Sequence, residues 1–163
     1  MSIGQKHKIP EEKFIDYAKC TQNADIMRKL DAKKQEKVVF SCVAKKKNRY
    51  GLDVDRTLLV TDINVYNLEK SALSDKHKIN RCINLRSIEA FTKTEDHKCL
   101  SFVIHISTEY DISFTSLPKY GTGFIDNIIN ALQYVVAMKK QINLPIYLVK
   151  VAELTHFITS KKD

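Results

Sequence analysis

From residue 38 onward, hydrophobic positions alternate with polar ones, which is the two-residue period of a β-strand. The first such stretch places Val38, Phe40, Cys42 and Ala44 on one side of a strand. Further stretches follow, separated by Gly or by polar residues. The pattern predicts seven strands, over 38–44, 56–62, 65–68, 79–85, 88–94, 100–106 and 111–115. Strand starts roughly 8–12 residues apart are typical of an antiparallel meander.

After Pro118 and Gly121 the period lengthens to that of an α-helix. The apolar residues form one broad stripe, made of Ile125, Ile128, Ile129, Leu132, Val135 and Val136. Thr122 is the expected N-cap, and Lys139 and Lys140 complement the negative end of the helix dipole. Because the stripe is broad for a surface helix, we expect it to close a core rather than to form a groove for a partner.

Two extensions flank this central unit. Residues 10–30 carry a helical pattern that begins at Pro10, and its apolar side contains Phe14, Ala18, Ile26 and Leu30. The last segment contains the apolar run 146–149, which predicts a strand and then a short helix. This segment either packs back on the domain or serves as an interaction tail. We therefore divide the chain into an N-terminal helical extension (1–36), a central domain (37–140) and a C-terminal tail (141–163).

The expected fold class is α+β and mainly β, namely a seven-stranded antiparallel barrel or sandwich capped by a C-terminal amphipathic helix. A chain of 163 residues is long enough to bury a core without disulfides or metals. It contains no apolar run near the roughly 18 residues of a membrane span. Its first residues are polar and lack the apolar core of a signal peptide. These features predict a soluble cytoplasmic protein.

The net charge of +8, from 27 basic and 19 acidic residues, favours acidic partners. Candidates are phosphoinositide headgroups, nucleic acid and acidic protein surfaces such as those of the cytoskeleton. The alternative is that the charge serves solubility alone. The basic residues are most concentrated in the run 45–49, which is followed by Tyr50 and a turn at Gly51.

The sequence offers no catalytic or metal-binding motif. It has no nucleophile elbow, phosphate-binding loop or HExxH helix, so we expect no enzymatic activity and no cofactor. Cys20, Cys42, Cys82 and Cys99 lack the spacing of a zinc site and are expected to be buried, reduced thiols. Nucleic-acid binding fits the charge, but the aromatic and basic residues are not interleaved as in RNA-recognition motifs.

The order of elements resembles that of a pleckstrin homology domain. Several short sequence segments also resemble segments of the class I myosin tail homology domain. They are AKKKNRYG (44–51), RTLLVTD (56–62), VYNL (65–68), INLRSI (83–88) and YDISF (110–114), followed by a helix from Phe124. The resemblance covers about residues 37–140. It implies a pleckstrin homology-like fold. The sequence contains no myosin motor domain, so we expect a free-standing relative of that tail domain.

The resemblance also implies a binding site. Tail domains of that family bind anionic phospholipids, especially phosphoinositides, through a Lys late in the first strand and an Arg in the second. Lys45 and Arg56 occupy the matching positions. Asp53 and Asp55 lie in the same hairpin, where they would repel phosphates or pair with Arg56 instead.

The candidate headgroup-binding residues gather at the first hairpin and at the connection between the third and fourth strands. They are Lys45, Lys47, Arg49, Arg56, Lys76, Lys78 and Arg81. Convergence matters because one surface cation in water contributes little, whereas two to four from neighbouring strands hold a phosphate firmly. The alternative interpretation is that the first hairpin is a solvated, charged turn that binds no ligand.

The leading hypothesis is a non-catalytic module that binds anionic phospholipids at a cytoplasmic membrane face. The alternative is a structural protein that docks in a cytoskeletal or ciliary (axonemal) assembly through its helical extension and its tail. Nucleic-acid binding is the third hypothesis.

Overall fold

The computed structural model describes residues 14–31 and 36–154, and its main feature is an eight-stranded sheet. The strands are β1 (Val38–Lys47), β2 (Asp53–Thr61), β3 (Asn64–Lys70), β4 (His77–Asn84), β5 (Ile88–Thr94), β6 (Ser101–Ile106), β7 (Ile112–Ser116) and β8 (Ile146–Val149). The helices are α1 (Ala24–Asp31), α2 (Phe124–Lys140) and α3 (Val151–Leu154). The seven predicted strands and the helix that follows them are confirmed.

The strands lie in the order β4-β3-β2-β1-β7-β6-β5-β8. Neighbours are antiparallel, except that β8 runs parallel to β5. Ala44 of β1 lies opposite Arg56 of β2 on one side and Ser116 of β7 on the other. β1 therefore joins the two halves of the sheet, and its register fixes which side chains of the three strands share a face.

One apolar core lies between the two halves of the sheet and α2. It contains buried residues from β1 to β7, including Phe40, Phe102 and Phe114. The stripe predicted on α2 points into this core, so the prediction that the helix closes the core is confirmed. Gly123 takes the N-cap position of α2, and the prediction of Thr122 as the cap is wrong.

Of the predicted N-terminal helix, the described residues before Ala24 are not α-helical. Residues 14–23 form an isolated bridge to β1 and a turn of 3-10 helix, and α1 begins at Ala24. The carboxylate of Asp16 accepts hydrogen bonds from the backbone N–H groups of Cys20 and Thr21, both at 2.9 Å. Such side-chain bonds to the backbone compete with helix formation, which explains the late start. Residues 10–13 of the predicted helix lie outside the described residues.

α1 covers the outer face of β2 and β3. Its residues Ile26 and Leu30 pack on Leu59, Tyr66 and Leu68 to form a second apolar cluster. These two strands are therefore buried on both faces, which explains the apolar run at Leu58–Val60.

The described part of the tail, residues 141–154, packs back on the sheet. β8 pairs with β5, with Ile146 opposite Phe91, and Leu144 and Leu154 are buried. A strand followed by a short helix is thus the observed order, as predicted. The strand adds an eighth member to the predicted seven.

The four cysteines are free thiols in two kinds of environment. Cys20 and Cys42 are buried as predicted, and burial raises the pKa of both thiols to about 12. Cys82 is exposed and Cys99 is partly exposed, so the expectation of burial is wrong for these two. None of the helices in the described part of the chain is long and apolar enough to cross a membrane.

Asp25 ties α1 to β4 and makes this contact sensitive to pH. Its carboxylate accepts a hydrogen bond from the backbone N–H of His77 at 2.9 Å and pairs with Lys29 at 2.9 Å. The His77 bond, then the Lys29 contact, lower the pKa of Asp25 from 3.8 to about 2. Because the folded-state pKa lies below the unfolded one, this stabilisation is complete above about pH 4 and is lost towards about pH 2.

We expect Asp25→Asn to lower the melting temperature at neutral pH and to flatten its fall between about pH 4 and pH 2. Thermal unfolding followed by circular dichroism across this range measures both effects. Glu95→Gln, in an exposed loop, is the control and should leave the profile unchanged. An Asp25→Asn profile that matches the wild type would contradict the assignment.

Candidate anion-binding site at the loop end of the sheet

Three loops meet at one end of the sheet, which we call the loop end. They are the β1–β2 loop (48–52), the β3–β4 loop (71–76) and the β6–β7 loop (107–111). Strand directions place them together, because β1 and β3 end where β2, β4 and β7 begin. Arg81 of β4 pairs with Glu109 at 2.9 Å and donates to the Tyr110 carbonyl at 2.6 Å. This arginine thus links β4 to the β6–β7 loop.

The β1–β2 loop is shaped by Asn48 and Gly51. The Asn48 side-chain oxygen accepts from the backbone N–H groups of Tyr50 and Leu52, at 2.9 and 3.0 Å. Gly51 has φ 78°, a left-handed conformation that glycine adopts without steric cost. These residues confirm the turn predicted at Gly51.

Strand alternation separates the lysines of the basic run. Phe40, Cys42 and Ala44 point into the core, so Lys46 shares this inner face two residues further on. Lys45 and Lys47 point to the outer face. Three consecutive lysines therefore do not form one patch.

Each outer lysine is paired with an aspartate directly opposite on β2. The Nζ of Lys45 lies 2.6 Å from the carboxylate of Asp55, and that of Lys47 lies 3.1 Å from Asp53. These pairs are exposed to solvent, where an ion pair contributes little to stability. They neutralise much of the positive charge of the outer face.

The inner face carries Lys46 and Arg56, which are only 4% and 8% exposed. The guanidinium of Arg56 pairs with the Glu69 carboxylate at 2.9 Å and donates to the Asp55 carbonyl at 3.0 Å. Glu69 also accepts from the side chain of Asn80 at 3.2 Å. The side chain of Arg56 is largely shielded from water, whereas that of Glu69 is 41% exposed, so one side of this pair is open to solvent.

Two buried polar side chains lie on this same inner face. Asn67 is 1% exposed and follows Val65 of the core on β3, while Ser116 is 2% exposed and follows Phe114 on β7. The amide oxygen and nitrogen of Asn67 and the hydroxyl of Ser116 have no hydrogen-bond partner in the described parts of the chain. Such groups are rare in folded proteins and call for an explanation, because leaving them unpaired costs stability.

We call the set formed by Lys46, Arg56, Asn67, Arg81 and Ser116 the inner cluster. Both of its arginines are paired with carboxylates, Arg56 with Glu69 and Arg81 with Glu109.

The structure divides the residues proposed from sequence between two faces. Lys45 and Arg56 lie on opposite faces, so the convergence expected of them does not occur. Arg81 joins Arg56 on the inner face. The remaining cations proposed at this site, Lys47, Arg49, Lys76 and Lys78, are exposed around it.

The individual environments of the exposed cations differ. Arg49 stacks on Tyr50, with its guanidinium carbon 4.9 Å from the ring centroid. Lys76 lies in the β3–β4 loop, and Lys78 lies opposite Glu69 on β4. The carboxylates of Asp53 and Asp55 pair with the outer lysines, and Arg56 pairs with Glu69.

Lys46, Asn67 and Ser116 were missed from sequence. The signal for Lys46 was present, because the predicted alternation from Phe40 through Ala44 continues to Lys46. No pattern marks Asn67 or Ser116, whose burial depends on the register of strands distant in sequence.

Within residues 14–31 and 36–154, no cluster of three or more His, Cys, Asp or Glu side chains is placed to hold a metal ion.

The comparison that decides the family is one of sequence. A family model described as "Unconventional myosin tail, actin- and lipid-binding" matches residues 11–153. The chain belongs to this family. The matched range is wider than residues 37–140, over which the short sequence segments resemble this family. It also includes the segment before β1 and the strand β8. No curated protein matches the chain in sequence.

Solved structures similar to this member of the myosin tail family share its fold. The hSac2 domain from the human phosphoinositide phosphatase Sac2 is 20% identical, with a TM-score of 0.58, and the match covers 80% of this chain and 88% of that one. The linker-DH/PH domains of p115-RhoGEF are 13% identical, with a TM-score of 0.53 over 80% and 38% of the two chains. The DH/PH domain of human ARHGEF11 is 10% identical, with a TM-score of 0.51 over 72% and 34%. At these identities the likeness shows the fold, which is pleckstrin homology-like.

The unpartnered amide of Asn67 leads to a prediction about stability. We expect Asn67→Leu, which has a similar shape, to raise the free energy of unfolding by about 1–2 kcal/mol, because it removes a desolvated group without a partner. Urea denaturation measures the change. Asn64→Leu is the matched control and should destabilise the protein, since Asn64 donates to Glu36 at 2.9 Å. Equal destabilisation by both variants would contradict the account of Asn67.

Proposed function

We propose that the protein is a non-catalytic membrane-targeting module that binds anionic phospholipid headgroups, including phosphoinositides, at the loop end. The observation that supports this proposal is that Lys46, Arg56, Asn67 and Ser116 are buried on the same face of neighbouring strands. Cations bind phosphate oxygens, while an amide and a hydroxyl bind ring hydroxyls or further oxygens. A cytoplasmic location, peripheral to the membrane, belongs to the same proposal.

Binding would proceed by exchange of carboxylate for phosphate. Glu69 and Glu109 hold the two arginines of the inner cluster, and their side chains are 41% and 48% exposed. Each carboxylate has room to rotate into solvent when a phosphate approaches. A phosphate group is an equally good bidentate partner for a guanidinium and carries more charge than a carboxylate. The two arginines therefore remain paired throughout.

The cations outside the inner cluster serve a second purpose in this proposal. Lys45, Lys47 and Arg49, together with Lys76 and Lys78, surround the inner cluster and add to the attraction towards an anionic surface. A Lys or Arg near such a surface contributes about 1 kcal/mol, which fades within a Debye length. These residues would speed and strengthen approach, whereas the inner cluster selects the headgroup.

Two comparisons support a lipid partner. The family is described as actin- and lipid-binding. The hSac2 domain, which shares the fold, comes from a phosphoinositide phosphatase. Neither comparison carries a catalytic step to this chain, and none is proposed.

We expect Lys46→Gln/Arg56→Gln to weaken binding to vesicles that contain phosphatidylinositol 4,5-bisphosphate by roughly thirtyfold, the effect of two cations at about 1 kcal/mol each. Vesicle co-sedimentation measures the change. Lys45→Gln/Lys47→Gln is the matched control, because it lowers the net charge by the same amount on the outer face. Equal losses for the two variants would show that the overall charge, not the inner cluster, governs binding.

Glu69→Gln should have the opposite effect. It removes the carboxylate that competes with phosphate for Arg56, so we expect binding to the same vesicles to strengthen by roughly two- to fivefold. Glu95→Gln changes the net charge equally at a loop outside the loop end and is the control. Equal strengthening by both variants would contradict the exchange of carboxylate for phosphate.

A second candidate function is docking to a cytoskeletal protein through the tail. It is favoured by the exposed apolar side chains of Tyr147 and Leu148 on the edge strand β8, and by the actin-binding description of the family. Deleting the tail would remove the buried Leu144 and Leu154 from the fold, so a point substitution is the better test. Co-sedimentation with filamentous actin that is lost on Leu148→Glu, while vesicle binding is kept, would support this function.

A further inference from the structure

A cleft of about 600 Å³ lies on the outer face of the first hairpin, next to the start of α1. We call it the outer cleft. Val43 and Thr57, which lie opposite each other on β1 and β2, form its floor. Residues of the segment 18–25 form one wall, and Lys70 with residues 75–77 forms the other. Clefts of this volume are typical of ligand sites.

The two walls of the outer cleft are bonded to each other. The side chain of Asn23 accepts from the backbone N–H of Ile26 at 3.0 Å and donates to the Asp75 carbonyl at 2.9 Å. It thereby joins the first turn of α1 to the β3–β4 loop. Close by, the Asp25 carboxylate accepts from the backbone N–H of His77 at 2.9 Å. The cleft is therefore formed before a ligand arrives, which lowers the ordering cost of binding.

Positive charge exceeds negative charge along the walls of the outer cleft. Three exposed lysines line it, namely Lys19, Lys70 and Lys76. None of the three has an ion pair with another residue in the described part of the chain. Asp75 adds one carboxylate, while Asp25 is already paired with Arg28 and Lys29. Three lysines against one carboxylate leave a charge of +2 for a ligand to neutralise.

The floor of the outer cleft provides a polar group that the fold does not use. Thr57 is only 7% exposed, and its side chain points to the outer face because that of Arg56 points to the inner one. The Thr57 hydroxyl makes no hydrogen bond to any other residue that the structure describes. A polar group so deeply buried usually has a partner. A ligand oxygen in the cleft would supply one.

The start of α1 adds a further preference for anions. Ala24 and Asp25, the first two residues of this helix, line the outer cleft. The N-terminus of a helix carries a partial positive charge and backbone N–H groups without partners inside the helix. Such an end favours phosphate or carboxylate. The helix end, the lysines and the Thr57 hydroxyl thus favour the same kind of ligand.

We propose that the outer cleft binds a phosphorylated segment of a partner protein, with the phosphate of a phosphoserine or phosphothreonine next to Thr57. Such a side chain carries about −1.5 to −2 charges at neutral pH, close to the charge that the cleft leaves uncompensated. One Asp or Glu side chain would neutralise only half of it. Lysines bind phosphate as point charges, while the hydroxyl and the backbone N–H groups donate to its oxygens.

The neutral part of the lining favours a peptide over a free phosphate compound. Ala18, Ala24 and Val43 offer aliphatic contacts, and the amide of Gln22 bonds to a peptide backbone. Asp75 at the rim would repel a compound that carries several phosphates. The proposal does not depend on headgroup binding, because the inner cluster lies on the opposite face of the first hairpin.

Nuclear magnetic resonance of the isotope-labelled protein tests the proposal. The probe is the peptide Ala-Ala-phosphoserine-Ala-Ala, with the same peptide carrying serine as its control. We expect saturable shifts at the backbone signals of Lys19, Ala24 and Thr57, with at least tenfold tighter binding of the phosphorylated peptide. Absence of these shifts, or equal binding of the two peptides, would overturn the proposal.

Two further ligands identify the source of the phosphate. Inorganic phosphate and inositol 1,4,5-trisphosphate should each bind the outer cleft more weakly than the phosphopeptide. If inorganic phosphate binds there equally well, the cleft recognises the phosphate alone and the peptide is excluded as its specific ligand. If the trisphosphate binds there more tightly, the cleft is a second headgroup site and the proposal is wrong.

Variants locate the binding within the outer cleft. Thr57→Val keeps the shape of the side chain and removes the hydroxyl, so we expect phosphopeptide binding to weaken by roughly three- to tenfold. Lys19→Gln/Lys70→Gln should weaken it by roughly tenfold. The matched control is Lys98→Gln/Lys150→Gln, which lowers the net charge equally at exposed positions elsewhere. Equal losses for the two double variants would show that overall charge governs binding and would overturn the proposal.

Vesicle binding separates this inference from the proposed function. We expect Thr57→Val to bind vesicles that contain phosphatidylinositol 4,5-bisphosphate as the wild type does, while it loses affinity for the phosphopeptide. Wild-type protein that binds the phosphopeptide but no vesicles would overturn headgroup binding alone. Protein that binds vesicles but not the phosphopeptide would overturn the outer cleft alone. Circular dichroism confirms that each variant is folded.

Discussion

The two-residue period of β1 and β2 decides which charged side chains of the protein can meet. Ala44 lies opposite Arg56, so the inner face receives Lys46 and Arg56, and the outer face receives Lys45 with Asp55 and Lys47 with Asp53. A slip of one residue would exchange the two faces and carry the apolar side chains of both strands out of the core. The same register that builds the core thus determines where a phosphate can bind.

The two faces differ in what their charges do. On the outer face, exposed pairs are screened by water and leave little net charge, so they suit long-range attraction better than specific binding. On the inner face, the two arginines are largely shielded from water and pair with more exposed carboxylates, and the side chains of Asn67 and Ser116 have no hydrogen-bond partner within the described residues. Leaving these buried groups unpaired lowers the stability of the fold. Departures of this kind are expected where a protein keeps a site for a ligand or a surface.

Features that depend on local pattern could be predicted from sequence. Alternation defined the seven strands, the broad stripe defined α2, and Gly51 marked the first turn. The site was harder to predict because its members come together through pairing distant in sequence: Ser116 reaches Ala44 only through the β1–β7 register. The N-terminal helix was predicted too long, since periodicity does not reveal that Asp16 binds the backbone at residues 20 and 21. For Lys46, the alternation along β1 was sufficient to predict a position on the inner face. The family resemblance indicated Lys45 as the binding residue instead.

The central claim is that an anionic headgroup binds on the inner face of the first hairpin, and nuclear magnetic resonance tests it most directly. A titration with soluble inositol 1,4,5-trisphosphate would follow the side-chain signals of the Lys and Arg residues in β1 and β2 and the amide of Asn67. The account predicts saturable shifts at Lys46, Arg56 and Asn67, with small changes at Lys45 and Lys47. Shifts confined to Lys45 and Lys47, with Lys46 and Asn67 unmoved, would contradict it.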